Sequence, residues 1–216
     1  LLAAALALAT PAAYAINIHA DGRTEIRNSA TGAASALVLD GSQSSACETV
    51  TRERSAGAQV AIDVDPAAPY GAFMRAANWL QDCGVARLSV ALRTGDEAEA
   101  APSVLLWQRL LPQPPPRRPS APCPAYTGDV IVPCVALVVV TDDGAIWVVV
   151  GAREARRSSL GSLGEDARQA VATPGLESSR LFIRAGRTVL FGRYVEVLAR
   201  LRAAGLTDLG LVNEEF

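Results

Sequence analysis

Apolar residues recur at Tyr70, Phe73, Met74, Ala77 and Leu80, the i, i+3, i+4, i+7, i+10 spacing of one helical stripe. Arg75, Asn78, Gln81 and Asp82 fall on the opposite side. The stripe returns as Phe191, Tyr194, Val195, Leu198 and Leu201, with Arg193, Glu196, Arg200 and Arg202 opposite. Each run is followed by a glycine, Gly84 or Gly205, at the place where a helix closes in the left-handed conformation. Short apolar segments flank both helices. Gln59–Val64 and Arg87–Leu92 surround the first, Arg180–Ala185 and Asp208–Val212 the second, and all four read as strands.

These matches belong to one repeat. Val60–Leu92 overlays Leu181–Asn213 without a gap at a separation of 121 residues. Ile62 falls on Ile183, Gly71 on Gly192, Leu80 on Leu201, Gly84 on Gly205 and Leu88 on Leu209. Upstream, Ile16–Arg27 turns at Asp21-Gly22 and Leu137–Val150 turns at Asp143-Gly144, both hairpin signals. One more helix is predicted in each copy, over Ser42–Ala56 and Leu160–Ala172. Each copy therefore reads β-β-α-β-α-β. The expected fold class is α+β, two tandem two-layer sandwiches, each with two helices on one face of a small mixed sheet.

The predicted units are residues 16–94 and 131–216, joined by 95–130. Within the join, Leu111–Pro124 (LPQPPPRRPSAPCP) holds seven prolines and reads as a polyproline-II spacer. Such a spacer would reach about 40 Å. Val104–Leu111 (VLLWQRLL) is too apolar to float free and is expected to pack on the first unit as an edge strand. With a full strand-helix complement on each side of the spacer, each unit is expected to fold independently.

Composition narrows the function more than the fold. The 216 residues are 50% hydrophobic and 19% charged, with a net charge of −2. All the positive charge is arginine, and no basic stripe is available for nucleic acid. Residues 1–15 open with an apolar run to Ala9, then Pro11 and Ala13-Tyr14-Ala15. This matches the core and cleavage site of a secretory signal, or the outer end of a truncated membrane helix. Either reading places the rest of the chain outside the cytoplasm, in the periplasm. Four cysteines, Cys47, Cys83, Cys123 and Cys134, are then candidates for disulfides, with three pairings open. The alternative is that Cys47 and Cys83 are small buried hydrophobes on helices.

Catalytic constellations are poorly represented. The single histidine, His19, reads as an exposed strand residue. Gly41-Ser42 and Gly161-Ser162 do not form a nucleophile elbow, and without lysine there is no phosphate loop. Asp63 and Asp65 alternate on one strand face as a solvated strand end before Pro66, and Asp142-Asp143-Gly144 is turn chemistry. No enzyme activity, cofactor or metal is expected.

The central strand, helix and final strand resemble the periplasmic domain of the ExbD/TolR family. Its pattern is an apolar strand ending in a polar or acidic pair, an aromatic-Gly helix start, a long amphipathic helix, a glycine and a short apolar strand. Leu181–Glu215 carries this best, and Val60–Leu92 repeats it with Asp65 at the usual acidic position. Gly186 stands there in the second copy. The resemblance implies an accessory subunit of a proton-motive-force-driven envelope transport complex. Its partners would be ExbB/TolQ-like motor proteins and TonB/TolA-like energy transducers, or peptidoglycan. The alternative is a soluble periplasmic interaction protein of duplicated domains with no proton-channel role. The family's membrane helix with its proton-carrying aspartate has no counterpart in these residues, so that role maps onto no position here. Family members pair through this domain, so the two copies are expected to form a pseudo-two-fold pair and offer a sheet edge to an extended partner segment.

Overall fold

The computed structural model describes residues 14–28, 31–37, 39, 45–55, 60–85, 87–94, 97–99, 104–106, 126–127, 130–131, 135–151, 154–176 and 180–212. Residues 1–13 of the leader-like segment, the proline-rich stretch 111–124, Cys123 and Cys134 lie outside them, whereas Tyr14 and Ala15, read as the end of that segment, form the start of the first strand. The chain is mixed α+β, with two mixed sheets, one two-stranded sheet and four helices among the described residues.

The first half runs β1 (Tyr14–Ile18), β2 (Thr24–Asn28), β3 (Ala34–Ala36), α1 (Ser45–Ser55), β4 (Val60–Val64), α2 (Tyr70–Asp82) and β5 (Arg87–Thr94). Next come β6 (Glu97–Glu99), β7 (Val104–Leu106), β8 (Tyr126–Thr127) and β9 (Val130–Ile131). The second half follows as β10 (Ala136–Val140), β11 (Ile146–Val150), β12 (Glu154–Ser158), α3 (Leu163–Val171), β13 (Leu181–Ala185), α4 (Phe191–Ala203) and β14 (Leu209–Leu211). Strand order is β3-β2-β1-β4-β5-β6 in the first sheet and β12-β11-β10-β13-β14 in the second. The hairpins are antiparallel, while β4 lies parallel between β1 and β5 and β13 parallel between β10 and β14.

Both sheets carry a third hairpin strand that the apolar pattern does not announce. β3 (ASA) is fully exposed, and β12 (EARRS) exposes Ala155, Arg156 and Arg157. Neither has an apolar alternation to read, because each is held at an edge by main-chain pairing. Each half is thus β-β-β-α-β-α-β rather than the expected six elements. The join 95–130 also contains short strands. β7 pairs antiparallel with β5, Leu105 opposite Leu88, in the edge position that its apolar sequence predicts, and β6 pairs with the far end of β5.

Alternation along the strands sorts their side chains by face. Ile16 and Ile18, Val60, Ile62 and Val64, Val138 and Val140, and Leu181 and Ile183 are buried, and with the helix stripes they form one continuous core across both halves. In α2 the predicted stripe is buried throughout. In α4 the stripe is rotated slightly from expectation, because Val197 is buried and Val195 only half-buried.

Both long helices end alike. Gly84 and Gly205 take φ of +81° and +85°. Val85 N–H donates to Leu80 O and Gly84 N–H to Gln81 O, and Leu206 and Gly205 repeat this with Leu201 and Arg202. This is the Schellman closure that the glycine spacing predicts.

Candidate interaction site: a two-fold seam between the halves

The starts of α2 and α4 lack the usual caps. Pro69 and Leu190 occupy the N-cap positions with the same backbone angles, φ −64° and ψ 135°, and neither makes a side-chain cap bond. Neither side chain has an oxygen to offer the first helical N–H groups, which have no partner inside the helix. The other half supplies the acceptors. Tyr70 N–H donates to Val189 O at 2.7 Å, and Phe191 N–H donates to Ala68 O at 2.8 Å. Gly71 N–H donates to Arg187 O and Gly192 N–H to Pro66 O, both at 2.9 Å. Every bond has its equivalent at the repeat spacing. Pro69 and Leu190 face each other as an antiparallel bridge near the centre of this arrangement.

The side chains obey the same symmetry. The rings of Tyr70 and Tyr194 lie 4.7 Å apart, and their counterparts Phe191 and Phe73 lie 4.8 Å apart. Within each helix, Tyr70–Phe73 and Phe191–Tyr194 are 5.9 and 5.8 Å apart. These are tilted contacts at distances where aromatic pairs attract beyond their area. The repeated glycines now have a reason. A Cβ on Gly71 would stand 3.1 Å from Arg187 O, and one on Gly192 would stand 3.2 Å from Pro66 O. A side chain at either position would need the opposite loop to give by a few tenths of an ångström.

Two further ties brace this region. Asp142, in the β10–β11 turn, accepts from Thr188 Oγ1 at 2.8 Å and Thr188 N–H at 3.0 Å. These bonds hold its carboxyl below its ordinary range, the hydroxyl contributing most. Asp143 accepts from Thr141 Oγ1 and from Ala145 N–H, as expected of turn chemistry. Asp65 likewise accepts from Ala67 N–H at 2.8 Å, closing the turn before α2.

The candidate residues read from the sequence fall elsewhere. Cys47 of α1 and Cys83, the C-cap of α2, are both buried and are disulfide-bonded, which selects one pairing for those two. His19 is not an exposed strand residue. It follows β1, is 26% exposed, and places Nε2 3.2 Å from Glu25 Oε2. Asp63 lies on β4 opposite Asn17. No cluster of His, Cys, Asp or Glu suited to a metal occurs among the described residues, and none of their helices is long and apolar enough to cross a membrane.

The outer faces of the two sheets differ. On the first, Glu25, Asn17 and Asp63 stand side by side on β2, β1 and β4. On the second, the corresponding row is Trp147, Val139 and Arg184, with Arg157 beyond Trp147 on β12. The residues that build the seam were invisible as a site in the sequence because they act through main-chain atoms. The available signal was a repeated aromatic-glycine pair behind residues that cannot cap a helix. No family model, curated protein or solved structure matches this chain.

Proposed function

We propose that this chain is an ExbD/TolR-like accessory subunit of a proton-motive-force-driven envelope transport complex. Its two units act as a paired, non-enzymatic binding module in the periplasm, for a TonB/TolA-like transducer or for peptidoglycan. Each unit is a two-layer sandwich with two helices on one sheet face. The packing of α3 on β10, β11 and α4 supports this for the second half. The observation that carries the reading is the strand-helix-strand element built twice and locked about a two-fold seam. It gives a pair of sheets held together by matching main-chain bonds.

A sheet edge is the place for an extended partner. The outer edge of β5 is taken by β6 and β7. Among the described residues no strand covers the equivalent edge of β14, where Leu209 and Leu211 stand. Main-chain groups at an open edge template strand addition. A photo-crosslinking residue at Leu209 tests the reading in cells. Adducts with a transducer-like protein, or retention on sedimented sacculi, are expected. A folded variant that captures neither, while a control at Arg200 behaves identically, overturns it.

A further inference from the structure

Each half closes the loop before its long helix with a carboxylate, and the two carboxylates come from different parts of the chain. Residues 65–69 and 186–190 are repeat counterparts, and each loop enters alike. Asp65 N–H donates to Ile18 O at 2.9 Å, and Gly186 N–H donates to Val140 O at 2.7 Å. In the first loop, Asp65 Oδ1 accepts from Ala67 N–H at 2.8 Å, two residues on. In the second, the counterpart of Asp65 is Gly186, which has no side chain. Thr188 N–H, the counterpart of Ala67 N–H, donates instead to Asp142 Oδ1 at 3.0 Å.

The space at Gly186 is where the exchange was made. A Cβ built there would fall on Asp142 Oδ1 and stand 2.7 Å from Asp142 Cγ. The Asp142 carboxyl therefore fills the volume that a side chain at 186 would take. Gly186 does not have a positive φ, so its backbone does not itself call for glycine. The hairpin turns complete the comparison. Gly144 N–H donates to Thr141 O as Gly22 N–H donates to His19 O. In that register Asp143 falls on Asp21 and Asp142 on Ala20. The first half has alanine in the turn and aspartate in the loop. The second has aspartate in the turn and glycine in the loop.

We propose that Asp142 is a relocated clasp, a positioning residue that supplies the carboxylate missing at Gly186 and so couples the β10–β11 turn to the loop that caps α2. Thr188 Oγ1 donates to the same oxygen at 2.8 Å, where the first copy has only Ala67. Held in this way, the loop presents Arg187 O to Gly71 N–H and Val189 O to Tyr70 N–H. In the first half the carboxylate is internal to the loop, so the β1–β2 turn takes no part in the clasp. The second hairpin alone is tied by a side chain to the acceptors of the opposite helix. The inference is independent of the proposed transport role.

Building the first-half arrangement into the second half of the full chain tests it. Asp142→Ala should lower the urea midpoint and speed amide exchange at Tyr70 and Gly71 about tenfold, the loss of a hydrogen bond to a charged group. Gly186→Asp alone should also lower the midpoint, because two carboxylates then compete for one place. Asp142→Ala/Gly186→Asp copies Ala20 and Asp65 and should return both readouts most of the way to the parent. The main chain at Asp142 N, 3.0 Å from the new Cβ, has to give by only a few tenths of an ångström. Losses that simply add in the double variant overturn the proposal, as does parental exchange at Tyr70 and Gly71 in Asp142→Ala. If Gly186→Asp alone does not fold, the gain of the double variant over Asp142→Ala decides.

Discussion

Tyr70 and Tyr194 bury their hydroxyls without a hydrogen-bond partner among the described residues. Burial pushes the ionisation of both phenols well above the ordinary range. A buried orphan hydroxyl costs on the order of 1–3 kcal/mol, and the opposite ring pair in the seam, Phe73 and Phe191, does without hydroxyls. Tyr70→Phe/Tyr194→Phe should therefore raise the denaturation midpoint, by about 1 kcal/mol per ring. A fall in the midpoint in urea melts would show that the hydroxyls are satisfied. At Asp142 the effect is one of pH. Its folded carboxyl is held below the ordinary value of 3.8, so its contribution is present above that value and lost as pH falls through the depressed one. Melting temperature should drop on acidification below about pH 4, and Asp142→Asn should flatten that part of the profile. An unchanged acid slope in the variant would remove Thr188 from the account. The glycines are instructive about legibility. Gly71 and Gly192 mark the repeat register in the sequence, but their reason is a carbonyl more than a hundred residues away.

Among the elements, the strand-helix-strand core is legible because period and punctuation agree. The stripes of α2 and α4 have the 3.6-residue period, and Gly84 and Gly205 close them where expected. β3 and β12 are not legible, because exposed edge strands need no apolar alternation. Within the join, Val104–Leu106 completes the first sheet as the edge strand that its apolar run predicts. The phase of α4 can be tested directly. Leu198 is 6% exposed, whereas Arg200 is exposed. Leu198→Asp should cost at least about 3 kcal/mol, because it buries an unpaired carboxylate. Arg200→Asp should lie within about 0.5 kcal/mol of the parent. Similar melting of the two variants, followed by circular dichroism, would mean that the helix faces are exchanged.

At the scale of the molecule, expecting two independent units and expecting a two-fold pair pull against each other, and the seam favours the pair. Each half relies on the other's carbonyls at its long helix and shares its aromatic cluster. The full chain should unfold in a single calorimetric transition, and Gly192→Val should lower it by about 2 kcal/mol through a steric clash at Pro66. Two resolved transitions, or a variant as stable as the parent, would separate the halves. Small-angle scattering should give one compact body, and a two-lobed elongated profile would exclude the pairing.

Joining two copies in one chain also lifts a constraint on what the pair can display. A homodimer built on such a seam must show the same face twice, because one gene writes both. Here the matching main-chain contacts hold the symmetry inside, while the exteriors are free to drift apart. They have done so, with Glu25 and Asp63 flanking a buried Asn17 on one sheet and Trp147, Val139 and Arg184 in the corresponding row on the other. The molecule keeps the architecture of a symmetric dimer while its two sheets carry unlike rows of side chains, an asymmetry that no pair of identical chains could show.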